Sequence, residues 1–168
     1  MKKTLNEKSR IFEINYYDLS LKFELFSIDY IFDELIKLEH NNVCSINRLT
    51  IPEKKPFQSF KEIYYEANND EEKYHYFAYI KFFKFEEHPY GLVGGKTNYP
   101  HPDIRFDSRN NKDDKRISRI FLEKNNLEWH NEIIIVNHEA FLNDRKKDNQ
   151  QALYLESFLQ RKFNLFNS

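Results

Sequence analysis

All three glycines of the chain, Gly91, Gly94 and Gly95, fall within five residues of one another, and Pro89, Pro100 and Pro102 flank them. Glycine admits positive φ and close backbone approach while proline fixes φ, so this crowding predicts a tightly shaped turn or the rim of a site. The run GGKT (Gly94 to Thr97) invites comparison with a phosphate-cradling loop of glycine amides and lysine. Spacing excludes that reading, because G-x-x-x-x-G-K-[ST] requires glycine where Tyr90 stands. Downstream, Arg105, Arg109, Lys112, Lys115, Arg116 and Arg119 are interleaved with Asp103, Asp107, Asp113 and Asp114. Charge pattern alone makes this a solvated, self-paired loop and helix face. Arg105 differs, since Ile104 and Phe106 flank it and packing there would aim its guanidinium at a phosphate. Glu156 follows Ala152 by four and precedes Leu159 by three, which places a carboxylate on an apolar helical stripe. Such a group is costly unless it pairs with a cation or binds a metal ion, and both readings stand. His75, His88, His101, His130 and His138 form no HExxH or i, i+4 pair and read as surface or packing residues.

These groups need elements to hold them. Tyr74 to Phe85 (YHYFAYIKFFKF) is dense in aromatic and β-branched residues and reads as a buried strand; EEHP turns the chain, and Tyr90 to Thr97 returns as the second strand of a hairpin. Lys115 to Asn126 has helical spacing, Glu132 to Val136 is a short apolar strand introduced by Trp129, and Ala152, Leu155, Leu159 and Phe163 form the stripe of a last helix. The order is strand, strand, helix, strand, helix. Before it, IFEINYY and LSLKFELF alternate roughly as strands and Ile28 to His40 reads as an amphipathic helix. IPEKKP reads as a connector, and FKEIYYEA is compatible with a short helix. The expected fold is mixed α/β (α+β): a small mixed sheet with an antiparallel hairpin flanked by helices. Residues 1–70 form an N-terminal extension or recognition region, and 71–168 the site-bearing domain.

At 168 residues the chain suits one domain or a small domain with an extension. With 40% hydrophobic and 17% aromatic residues it has material for a packed core. A net charge of −1 lacks the footprint of a strongly basic general nucleic-acid binder, so any such site is a local patch. The single cysteine, Cys44, excludes an internal disulfide and a multi-thiolate zinc site. No apolar run approaches membrane-spanning length, which predicts a cytoplasmic protein.

Taken together, residues 74–168 resemble the GIY-YIG nuclease family. Phe77-Ala78-Tyr79 stands at the first motif, with Tyr79 as its tyrosine. Val93-Gly94-Gly95 followed by Lys96-Thr97 stands at the second; Val93 occupies its tyrosine position, and Tyr90 lies three residues earlier. Arg105 matches the family arginine, Glu156 the metal-binding glutamate, and Asn167 the asparagine that ends many members. The resemblance implies a Mg²⁺- or Mn²⁺-dependent endonuclease hydrolysing DNA phosphodiesters, of restriction or mobile-element type. Tyr79 would assist the water, Arg105 would contact the phosphate, Lys96 would serve as an additional phosphate contact or a proton-transfer group, and Glu156 would hold the cation. Tyr90, Thr97, Arg109, Lys115, Arg116 and Asn167 would contact DNA. The alternative class is a catalytically weakened binding module or inhibitor on the same fold, acting on nucleic acid or a protein partner. A homodimer, and a protein partner bound through residues 1–70, are compatible with either.

Overall fold

A computed structural model describes residues 7–16, 18–40, 44–50, 76–96, 117–138 and 145–167. Their elements are β1 (Ser9–Tyr16), β2 (Leu19–Phe26), α1 (Ile28–His40), β3 (Cys44–Thr50), β4 (Ala78–Phe85), β5 (His88–Lys96), α2 (Ile117–Lys124), β6 (Glu128–His138), α3 (Arg145–Phe163) and β7 (Phe166–Asn167). Strands β1 and β2 form a two-stranded antiparallel sheet, and the other five lie in the order β3-β6-β4-β5-β7. Among the described strands only β5 and β7 run parallel, so the larger sheet is mixed and the fold is α+β. The predicted hairpin is the β4–β5 pair, and the apolar strand predicted over Glu132 to Val136 is the centre of β6 in the same sheet. Among the described residues no helix is long and apolar enough to cross a membrane. The predicted connector IPEKKP and the short helix FKEIYYEA lie outside the described residues.

The large sheet is covered on both faces, which is why β4 is buried from Ala78 to Phe83 and reads as a continuous apolar run. On one face Ala78, Ile80 and Phe82 join Ile134 and Val136 of β6 and Cys44 and Ile46 of β3. Helix α1 brings Ile28, Ile31 and Leu35 onto this layer, and α3 brings Leu159 and Phe163. On the other face Phe83, Leu92 and Val93 meet Phe12, Ile14 and Leu25 of the β1–β2 sheet and Phe121 and Leu122 of α2. Each Val, Leu, Ile or Phe among these contributes roughly 1.5–3 kcal/mol when fully buried.

The glycine cluster is the interior of a strand, not a turn. No described glycine has positive φ; Gly91 and Gly94 are present because something lies where their side chains would be. A Cβ at Gly91 would sit 2.7 Å from Ile31 Cδ1 of α1, and one at Gly94 would sit 3.0 Å from both Gln160 Cγ of α3 and Leu165 Cδ1. With glycine committed there, other residues take the left-handed positions. Glu86 (φ 47°) and Glu87 (φ 70°) form the two-residue β4–β5 turn between the paired Phe85 and His88. Asn126 (φ 52°) and Asn164 (φ 53°) terminate α2 and α3, each followed by a backbone bond, Leu127 N–H to Leu122 O (2.9 Å) and Leu165 N–H to Gln160 O (3.0 Å).

Residues of the N-terminal region are joined to the sheet by packing and by pairing. Strand β3 pairs along β6 from Cys44 opposite His138 to Thr50 opposite Glu132. Phe12 makes edge-to-face contacts with Phe83 and Phe85 (5.2 Å each), Tyr90 (5.3 Å) and Phe121 (5.8 Å). Above this aromatic cluster the Tyr90 hydroxyl donates to Glu7 Oε2 (2.8 Å), Arg10 donates to the same carboxylate (3.2 Å), and Arg10 reaches Glu86 on the turn (3.3 Å). Burial, then the bond to Glu7, pushes the Tyr90 phenol up to about 12, so it remains a donor. Hydrogen bonds from Arg10 and then Tyr90 hold Glu7 below the usual carboxylate range.

Both the glycine contact and the Glu7 cluster can be tested by substitution. Gly91→Ala should cost about 1–3 kcal/mol in urea denaturation through overpacking, and Ile31→Val, which removes the obstructing Cδ1, should be neutral or stabilising in that background although destabilising alone. For Glu7, a depressed folded-state pKa means its stabilisation is present above the unfolded value and is lost as pH falls through the lower, folded one. The stability gap between wild type and Glu7→Gln should therefore be constant at neutral pH and close in acid, below the ordinary glutamate range, in denaturant titrations at several pH values.

Candidate functional site

The end of β5 gathers the predicted groups from three elements. Lys96 closes the strand opposite Ala78, and Gly95 pairs with Tyr79. Strand β7 lies alongside on the outer edge, with Asn167 opposite Gly94. Helix α3 runs over the same place because Gly94 leaves room for it: Gln160 Nε2 donates to the Gly94 carbonyl (2.7 Å). One turn earlier, the Glu156 carboxylate accepts the Lys96 backbone N–H. Two side chains four residues apart thus bind one strand edge through its backbone, which fixes α3 along β5.

Glu156 is half-buried. Burial is the largest influence on its carboxyl and raises it above the ordinary glutamate value, opposed by the Lys96 charge and the Lys96 N–H. The stripe position read from sequence is therefore a carboxylate partly withdrawn from water beside a lysine. Among the described residues no three His, Cys, Asp or Glu side chains gather as a ligand set.

Lys96, Glu156 and Asn167 are accordingly brought to one end of one strand. Tyr79 is adjacent along the sheet but buried, and strand alternation turns its ring away from the α3 face, since its neighbours Ala78 and Ile80 pack in the α1/α3 layer. Tyr90 is not at this place: it is fully enclosed in the opposite aromatic layer and its hydroxyl is engaged by Glu7, an arrangement that makes it a packing and tethering residue. Arg105, Thr97, Arg109, Lys115 and Arg116 lie outside the described residues.

Sequence reasoning passed over Gln160 and Lys81. Gln160 stands four residues after Glu156 on the same inward side, a spacing that was visible. Lys81 is buried in mid-strand with its ammonium 4.2 Å from the centroid of the Trp129 ring, on the same sheet face as Tyr79. Its only sequence signal is a lysine inside an apolar run. No protein-family model, curated protein or solved structure matches the chain.

A carboxyl whose pKa is higher folded than unfolded favours the folded state below the unfolded value and loses that advantage as pH rises through the folded one. Glu156→Gln, which keeps the acceptor for the Lys96 N–H but never ionises, should therefore raise Tm at neutral pH. The gain should disappear in acid, and thermal melts of both proteins across pH 3.5–7, a window set by an ordinary glutamate pKa of about 4.3, check the sign.

Proposed function

We propose that the chain is a divalent-metal-dependent DNA endonuclease of GIY-YIG type. The observation that carries the reading is Glu156, a half-buried carboxylate held against the Lys96 amide at the end of the glycine-bearing strand, with Asn167 on the adjoining edge. The element order of hairpin, helix, strand and helix around it is the one the resemblance implies. Mg²⁺ keeps several of its waters and is held through one or two carboxylates, so a donor set of Glu156 alone is chemically suitable for Mg²⁺ or Mn²⁺. Such an ion, when bound, supplies positive charge to the scissile phosphate.

The chain's own groups divide the remaining work. Lys96 places an ammonium beside Glu156, where it would attract a phosphate and partly offsets the upward push of burial on the carboxyl. Arg105 would contact the phosphate oxygens, on which negative charge grows during attack, and its fixed fork of donors suits them. Tyr79 would orient the attacking water. Thr97, Arg109, Lys115, Arg116 and Asn167 would hold the flanking DNA. A second reading, a binding module or inhibitor with weakened catalysis, is favoured by one specific observation: neither tyrosine of the hairpin presents its ring on the α3 face.

The test is relaxation of supercoiled plasmid by purified protein with Mg²⁺, with Mn²⁺ and with chelator. Wild type should nick or linearise only with metal, and Glu156→Gln should lose cleavage while retaining fold and DNA binding. Arg105→Ala should slow cleavage by about 10²–10³-fold, the loss typical of removing one donor to a developing oxyanion. Wild type that binds DNA and never cuts it would leave the binding-module reading in place. Undiminished cutting by Glu156→Gln would remove that residue from the reaction.

A further inference from the structure

Gln160 is tied both to the end of β5 and to the chain that follows α3. Its Nε2 donates to the Gly94 carbonyl (2.7 Å), its Cγ lies against the place of a Gly94 side chain, and its backbone carbonyl accepts the Leu165 N–H (3.0 Å). That last bond closes the turn at Asn164, from which the chain enters β7 with Asn167 opposite Gly94. One helical turn before Gln160, Glu156 accepts the Lys96 N–H. The two strand groups are two residues apart, about 6.8 Å of extended chain, and the two helical residues are four apart, about 6 Å of helix axis. The spacings match, so an amide donates to one strand carbonyl while a carboxylate accepts a strand N–H one step along.

The inward stripe of α3, Ala152, Leu159 and Phe163, is apolar. Burial of such groups is non-directional, so it presses the helix onto the sheet without fixing its displacement along its own axis. Hydrogen bonds, which weaken steeply with distance and angle, do fix it. Of the two polar bonds, the one at Glu156 uses the carboxylate that a cation would also claim, whereas the bond from Gln160 to Gly94 involves no group of the site. We infer that Gln160 is the positioning residue of the candidate cation site: by holding the Gly94 carbonyl it sets the register of α3 that presents the Glu156 carboxylate at the end of β5. The inference rests on the proposed reading of Glu156 as a cation ligand, but it does not require cleavage. Gln160 touches neither ion nor DNA and acts through Glu156.

Gln160→Met keeps the length of the side chain and removes its donor. Gln160→Ala opens the Gly94 carbonyl to water and takes its place if the methionine variant does not fold. Thermal melts should show a lower Tm for Gln160→Met, since a buried carbonyl loses its donor. The decisive measurement is titration of full-length, ¹⁵N-labelled protein with Mn²⁺, whose unpaired electrons broaden the nearest amide signals. In wild type the Lys96 and Glu156 amides should broaden before that of Phe12 on the opposite layer, and Glu156→Gln should abolish this preference. The Gln160 variant should need about tenfold more Mn²⁺, the low end of the loss seen when a group orienting a metal ligand is removed. In plasmid cleavage the half-saturating Mg²⁺ should rise by the same factor. Loss of packing alone would instead lower the plateau rate with the folded fraction and leave both midpoints in place. Wild-type midpoints in the Gln160 variant, whatever its Tm, would overturn the inference while leaving the nuclease reading intact. A shifted broadening midpoint, with a wild type that never cuts, would uphold the inference and defeat the nuclease reading. If Mn²⁺ singles out neither amide in wild type, no cation is held at Glu156 and the inference falls, and metal-dependent cutting by that protein would then keep a nuclease with another ligand.

Discussion

Ile31 of α1, Gln160 of α3 and Leu165, just before β7, pack directly on the β5 backbone, and they do so because Gly91 and Gly94 present no side chain. At Gly91 the approach lets Ile31 enter the core; at Gly94 it seats Gln160 and Leu165. A methyl group at either position would lift one element off the sheet, and the polar contacts above would lengthen with it. The Gln160 bond to the Gly94 carbonyl and the Glu156 bond to the Lys96 N–H both depend on that separation. Close approach of helix and turn side chains to a bare strand backbone is thus the constraint from which the site's position follows.

The same contact sets the electrostatics. A glutamate on the buried side of a helix would ordinarily be neutralised or expelled, since the cost of a desolvated carboxylate is large. Glu156 is half-buried where a strand has ended, so the Lys96 N–H faces outward as an acceptor-seeking group and the Lys96 ammonium is near. The carboxylate satisfies an edge that has no further described strand to pair with at that point, β7 having reached only Gly94. Two features that look independent, an exposed strand end and an inward carboxylate, supply each other's missing partner.

The legible part of the fold was the part whose burial is written in one segment. Ile28, Ile31 and Leu35 mark α1, the run Ala78 to Phe83 marks β4, and Ile133 to Val136 marks the centre of β6. Strand β3 was missed because CSINRLT buries little more than Cys44 and Ile46, and its strand character comes from pairing with β6; that strand in turn extends well past the apolar run, to Glu128 and His138. Helix α3 starts at Arg145, earlier than its apolar stripe suggests, because its first turns place Asp148 inward and lysines outward. Of the site, Glu156 was legible from its place on the stripe and Lys96 from its glycine neighbours. The partnership of Tyr90 with Glu7 was not, since 83 positions separate them and neither has a local pattern that announces the other.

In the β4–β5 turn both residues are glutamates in the left-handed region, where a side chain costs roughly 1–2 kcal/mol and where two like charges lie side by side. A turn so disfavoured in isolation is held in place by what surrounds it: Phe12, Phe83, Tyr90 and Phe121 pack behind it as one cluster, and Arg10 and Lys84 lie against Glu86 and Glu87. Residues contributed by β1, at the opposite end of the sequence from α3, therefore help to keep the central hairpin closed.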